Sequence, residues 1–355
     1  MEGSFKKDCL MEGNKGLAYK REDFDNFLSV ETTNCLRGIL AVIIVVVHLT
    51  MRTNILTFSP IRVVVGSLGY LAVAVFFFLS GYGLTISAQK KGDGYLESFL
   101  RKRILPYYLN YLILVIIYAL LQFVVLGQEL QPIDILTSLF WGGTIVGFGW
   151  YLQALLLFYI VYFLVFRFIK WGGVWPKYIL YNIFLAIYCI VASLIESGST
   201  WYESTFAISL GMLFAYKRDS VISILRNYYY PSLVLSFLIF FGLYAGYIFS
   251  SIQAISIFLK MLSAVAFSVF TAIVIFKLPI NFEIFRHIGK YSYEIYVVQA
   301  IPMLLFHSEI IYISNDWLYC FSCIATILIL SIVFHPIFHS INKAFREGRK
   351  NANQT

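Results

Sequence analysis

Apolar runs of roughly 20 residues, each long enough to cross a bilayer core, recur from about residue 36 to about residue 340 of this chain. No polar stretch between them is long enough for a second, soluble domain. In hydrocarbon every backbone polar group must find its partner internally, which leaves helices or closed barrels. Barrel strands alternate in character at every second residue, and these runs do not, so the expected fold class is all-α, a polytopic transmembrane helix bundle. Hydrophobic residues make up 60% of the 355 and charged residues 13%, which excludes a water-soluble fold. The length ruler places about ten spans, near 36–56, 66–88, 104–126, 148–170, 177–196, 202–217, 231–250, 257–277, 291–307 and 316–340. The first 35 residues are polar and lack the short apolar core and small-residue cleavage site of a secretory signal, so the first span is expected to direct insertion. Cys9, Cys35, Cys189, Cys320 and Cys323 form no paired framework and read as small buried hydrophobes.

Orientation follows from the cations between spans. The first segment carries Lys6, Lys7, Lys15, Lys20 and Arg21, the next only Arg62, and the third Lys90, Lys91, Arg101, Lys102 and Arg103. Further basic segments hold Lys170 and Lys177, then Lys217, Arg218 and Arg226, then Arg286 and Lys290, and finally Lys343, Arg346, Arg349 and Lys350, and those between them hold none. This alternation puts both termini in the cytosol. The net charge of +8 is thereby explained as a topology signal, with no nucleic-acid partner needed.

Ionisable side chains inside apolar helices are costly, so each is a functional candidate. Arg37 and His48 lie eleven residues apart in the first span. Eleven steps of 100° return to within about 20° of the start, so both project from one face, roughly 16 Å apart along the axis. Arg37 sits near the cytosolic edge and His48 sits deep. A second constellation joins Phe77-Phe78-Leu79-Ser80-Gly81-Tyr82-Gly83, ending the second span, to Arg101-Lys102-Arg103-Ile104-Leu105-Pro106, opening the third. The basic triplet reads either as a topology determinant or as a cluster for a phosphate-rich ligand. Ser80, Tyr82, Ser292, Tyr293, Glu294 and Gln299 are polar groups at membrane depth or helix ends, and they read as site-lining residues or as helix–helix glue. Trp150 and Tyr151 are either an interfacial aromatic anchor or a platform for a sugar at the outer mouth. His335 with His339, and Cys320 with Cys323, have metal-like spacing but no partner ligands nearby, so no metal is expected.

Four motifs in this order resemble the acyltransferase-3 family of membrane acyltransferases, which modify glycans and lipids on or near the bacterial surface. They are Arg37-Gly38 with Ala41 and His48, then Phe77-Phe78-Leu79-Ser80-Gly81, then Arg103-Ile104-Leu105-Pro106, and last Gly289-Lys290-Tyr291-Ser292-Tyr293-Glu294-Ile295-Tyr296. Leu100 stands where the family often has an arginine, and Gln299 where it commonly has histidine. Glutamine cannot cycle a proton, so the resemblance rests catalysis on His48 with Arg37. It implies a cytosolic segment over 1–35, a transmembrane acyltransferase domain over 36–340 and a cytosolic tail over 341–355 in a bacterial cytoplasmic membrane. It also implies transfer of an acyl group, usually acetyl, from cytosolic acyl-coenzyme A to a hydroxyl of a surface or lipid-linked glycan. Imidazole, with an ordinary pKa of about 6.5, is the base suited to activate an alcohol, and Arg101 and Arg103 would hold coenzyme A phosphates. No tightly bound cofactor is implied, acetyl-CoA being a co-substrate. The expected partners are acyl-CoA, a carbohydrate acceptor and the lipid bilayer, and a homo-oligomer is compatible with the reading.

An ion-coupled transporter of a sugar or small anion is the rival, because intramembrane arginine and histidine also mark carriers. Such carriers often show matching interrupted helices in two halves. Here the polar residues crowd into the first three spans. A structural scaffold accounts for neither Arg37 nor His48.

Overall fold

Ser29 caps the first helix by accepting a hydrogen bond from the Thr32 amide at 3.2 Å, so the helix begins six residues before the apolar run expected at 36. The computed structural model describes residues 27–140, 145–195, 198–278 and 280–347. Cys9, the five cations of the first segment (Lys6, Lys7, Lys15, Lys20 and Arg21), and Arg349 and Lys350 lie outside the described residues. In chain order the helices of six residues or more are α1 (Val30–Arg52), α2 (Ser59–Lys91), α3 (Leu100–Val125), α4 (Pro132–Phe140), α5 (Trp150–Phe168), α6 (Val174–Ile195) and α7 (Phe206–Tyr216). They continue with α8 (Arg218–Phe249), α9 (Gln253–Lys277), α10 (Glu283–Lys290), α11 (Ser292–Val298), α12 (Ala300–Leu305) and α13 (Asp316–Glu347). The all-α expectation holds among the described residues, where extended pairing is limited to a single bridge between His307 and Tyr312.

Eight of these, α1, α2, α3, α5, α6, α8, α9 and α13, are long and apolar enough to cross a membrane. The runs expected at 202–217 and 291–307 are not single long helices. Residues 202–205 form an irregular turn around the buried Glu203, and α7 begins only at Phe206. The second run is broken at Gln299, three residues before Pro302, whose nitrogen cannot donate to the Val298 carbonyl. Both short segments nevertheless lie along long helices. Ser204 bonds the Tyr70 carbonyl at 2.8 Å and Gly211 meets α2 at Phe78. Gly289 meets α1 at Asn34, whereas Gln299 meets it at His48, about 21 Å farther along the axis.

Two glycine pairs bring backbones into contact. A Cβ on Gly38 would collide with the Phe285 oxygen, and one on Gly289 with the Asn34 oxygen, so α10 presses directly on the start of α1. Gly81 and Gly211 join α2 to α7 in the same manner. Around this tight centre α5 is deeply buried, while α8 turns Phe237, Leu238 and Phe241 outward toward lipid.

Lys260 of α9 and Glu203 form an ion pair at 2.6 Å, and Ser199 also donates to that carboxylate at 2.6 Å. The Lys260 ammonium lies 4.9 Å and 5.4 Å from the ring centres of Tyr70 and Tyr247. The pair is self-satisfied, so it fastens the turn before α7 to α9.

Candidate active site

A cavity of about 270 Å³ opens between α1, α2, α3, α5, α11 and α13. Its walls carry Arg37, Lys102 and Arg103 and, among the described residues, no carboxylate. Such a chamber favours an anion. Of the candidates read from sequence, it gathers Arg37, Arg103, Ser80, Ser292 and Tyr293, and also Tyr151, which stands in this cation-lined wall beside Arg37 and Arg103. Arg101 is not in the lining, and Lys102 takes its place. The cause is local: the Leu105 amide bonds the Leu100 carbonyl five residues back, widening the first turn of α3, and Pro106 cannot supply the ordinary bond to Lys102. From Arg103 in this turn, Tyr107 and Asn110 follow at helical spacing on the cavity side.

Much of the remaining wall is aromatic: Tyr107 and Tyr159, which sequence reasoning missed, and Tyr296, which it met only as the last residue of the fourth motif. The Arg103 guanidinium sits 5.6 Å from the Tyr159 ring centre. Asn110, 3% exposed, and Tyr293 each keep a buried oxygen with no protein partner among the described residues, Oδ1 and OH respectively. An amide in an otherwise apolar run was a readable signal for Asn110. Tyr107 and Tyr159 carried none, because 26 tyrosines are spread through the chain.

His48 lies beyond the inner wall. Its Nδ1 is 3.0 Å from Gln299 Oε1, and its ring stacks on Phe148 at 3.5 Å between centroids with 2° between planes. Phe148 holds a left-handed backbone, φ 61°, which is uncommon for a bulky residue and marks a strained loop. The loop is pinned where it meets the broken α11–α12 segment: the Tyr296 hydroxyl donates to the Phe148 carbonyl at 2.7 Å. Tyr296 thus faces the cavity on one side and supports the His48 contact on the other. Arg37 and His48 stand on α1 as the helical arithmetic expects, but only Arg37 is in the cavity lining; His48 is linked to the cavity through the layer of Phe148, on which it stacks, and Tyr296, which bonds Phe148 and lines the wall.

The other candidates are placed apart from the cavity lining. Tyr82 packs on Phe78. Trp150 meets Trp201 at 6.3 Å between ring centroids. Glu294, 5% exposed, accepts from His335 at 2.9 Å, tying α11 to α13. His335 is therefore occupied by a carboxylate, and its ring centroid is 5.9 Å from that of His339.

The acyltransferase-3 family model, described as an acyltransferase domain, matches residues 31–335. The chain belongs to the acyltransferase-3 family. The match runs from the first turn of α1 to His335 in α13 and takes in both the cavity and His48. No curated protein and no solved structure matches the chain. As an acyltransferase-3 protein with eight apolar helices of spanning length among the described residues, it is an integral membrane protein and a membrane acyltransferase in general terms.

Proposed function

We propose that this protein is an O-acyltransferase of the bacterial cytoplasmic membrane, moving an acyl group, acetyl in the first instance, from cytosolic acyl-CoA to a hydroxyl of a surface or lipid-linked glycan. The observation that carries the donor assignment is the cavity with three cations and no carboxylate among its described walls. Coenzyme A is a polyanion with a long uncharged arm. Its phosphates suit Arg37, Lys102 and Arg103, and its amides suit the unpartnered oxygens of Asn110 and Tyr293. The chemistry then needs a base for the alcohol. His48 takes the hydroxyl proton as the oxygen attacks the thioester carbonyl, the C–S bond breaks, and the imidazolium returns that proton to the departing thiolate. Products are the O-acyl ester and free coenzyme A. The layer of Tyr296 and Phe148 has to open for the thioester to reach the imidazole, since His48 stands roughly 16 Å from Arg37 along α1.

The experiment compares membranes bearing wild-type protein with membranes bearing His48→Gln. Thiol release from acetyl-CoA is followed together with the mass of surface glycans from cells with and without the gene. Wild type is expected to release thiol and to add an acyl mass to a glycan, and His48→Gln to lose about 10²–10⁴ in rate at normal protein level. Wild-type transfer by His48→Gln would remove His48 from the chemistry.

A further inference from the structure

We propose that Gln299 is a positioning residue that holds His48 in the Nδ1–H tautomer and so makes Nε2 the proton-accepting atom; the proposal rests on the acyl-transfer reading above. Gln299 is 0% exposed, so water does not compete for its amide. Its Nε2 donates to the Tyr296 carbonyl at 3.0 Å, and a carbonyl oxygen can only accept, which fixes the amide nitrogen on that side. The amide oxygen therefore faces His48 Nδ1 at 3.0 Å. That oxygen also can only accept, so Nδ1 carries the proton. A neutral imidazole has one N–H, and the lone pair is left on Nε2, which makes no hydrogen bond among the described residues. Phe148, stacked at 3.5 Å, fixes the plane of the ring.

One residue supports both restraints. The Tyr296 carbonyl anchors the Gln299 amide, and its hydroxyl anchors the Phe148 carbonyl. Gln299 stands at the junction of α11 and α12 with helical backbone angles, φ −59° and ψ −32°, and its side chain reaches His48 on α1. A neutral amide orients the base without adding the negative charge that a carboxylate would place beside it.

The direct test is ¹⁵N NMR of the full chain labelled at histidine, in detergent, with a His48→Gln sample to identify the signal by difference. The Nδ1–H tautomer is expected, and the Nε2–H tautomer would overturn the proposal. Kinetics add a second measurement, with acetyl-CoA as the donor and thiol release as the signal. Gln299→Met, similar in size but unable to accept, is expected to lower kcat about tenfold to a hundredfold with KM for acetyl-CoA within twofold. Gln299→Glu restores an acceptor but adds a charge that favours imidazolium, so turnover is expected to recover at alkaline pH with the acidic limb moved to higher pH by about one unit or more. Wild-type kcat in Gln299→Met, or an unmoved acidic limb in Gln299→Glu, would reduce Gln299 to packing. If Gln299→Met does not accumulate, the wild-type tautomer and the Gln299→Glu profile decide. Absence of thiol release from wild type would count against acyl transfer alone, because the tautomer is read without turnover.

Discussion

At the residue scale, the arginines of the cavity and the histidine beyond it answer to different physics. Arg37 is fixed by α1 and faces a chamber whose described walls offer no carboxylate, so its charge is left for a ligand. If its guanidinium makes a two-point contact with a phosphate or carbonyl oxygen, a lysine cannot replace it. Arg37→Lys is expected to lose transfer nearly as completely as His48→Gln, and wild-type rates in Arg37→Lys would show that a point charge suffices. Arg103→Ala removes one of three cations and is expected to raise KM for acetyl-CoA about tenfold or more, since charge-assisted hydrogen bonds contribute roughly 1.5–3 kcal/mol. That KM should also climb more shallowly with added salt than in wild type. The shared face of Arg37 and His48 was legible because it depends only on helical period. Gln299 and Phe148 as neighbours of His48 were not, because the Gln299 contact spans 251 residues of sequence and exists only through packing.

At the element scale, the motif glycines separate into two kinds. Gly38, Gly81 and Gly289 stand where two backbones touch, and Gly211 completes the second pair. Gly83, two residues after Gly81, meets nothing within 4 Å of an added Cβ. Gly38→Ala is expected to force α10 off α1 and to lower the midpoint of thermal unfolding in detergent, by the equivalent of about 1–3 kcal/mol or more. Gly83→Ala is expected to leave it unchanged or raise it slightly, because alanine is the better helix former by about 0.5–1 kcal/mol. Equal effects in the two variants would refute the close contact. Hydropathy located every helix of spanning length because it sums apolarity over a window. It merged the turn at Glu203 with α7, and α11 with α12, because a window average does not register where backbone bonding is interrupted. It also passed over Lys260 and Glu203, whose charges cancel against each other across the fold.

At the scale of the whole molecule the open question is how α7 and the α11–α12 segment count in the topology. Among the described residues eight helices have spanning length, and eight crossings or ten both put the two ends on one side. They differ in the middle of the chain. With eight, Lys217, Arg218, Arg226, Arg286 and Lys290 would face away from the cytosol, against the tendency of cations to stay inside. With ten, all of them face the cytosol. The contacts favour ten: the segment from Gly289 to Gln299 follows α1 from Asn34 to His48, and the Asn54 amide bonds Asp316 at 2.9 Å, where the chain enters α13 at the far end of α1. Single cysteines placed at Glu283 and Glu309, in a chain whose five native cysteines are replaced, decide between the two counts. Both glutamates lie where the chain meets solvent, Glu283 at the start of α10 and Glu309 after α12. On intact cells a membrane-impermeant thiol reagent is expected to label the cysteine at position 309, while the one at 283 reacts only after permeabilisation. Under eight crossings nothing between those positions crosses the bilayer, so both cysteines would react alike. Opposite labelling would establish that a helix broken at Gln299 carries the chain across and holds the partner of His48 midway.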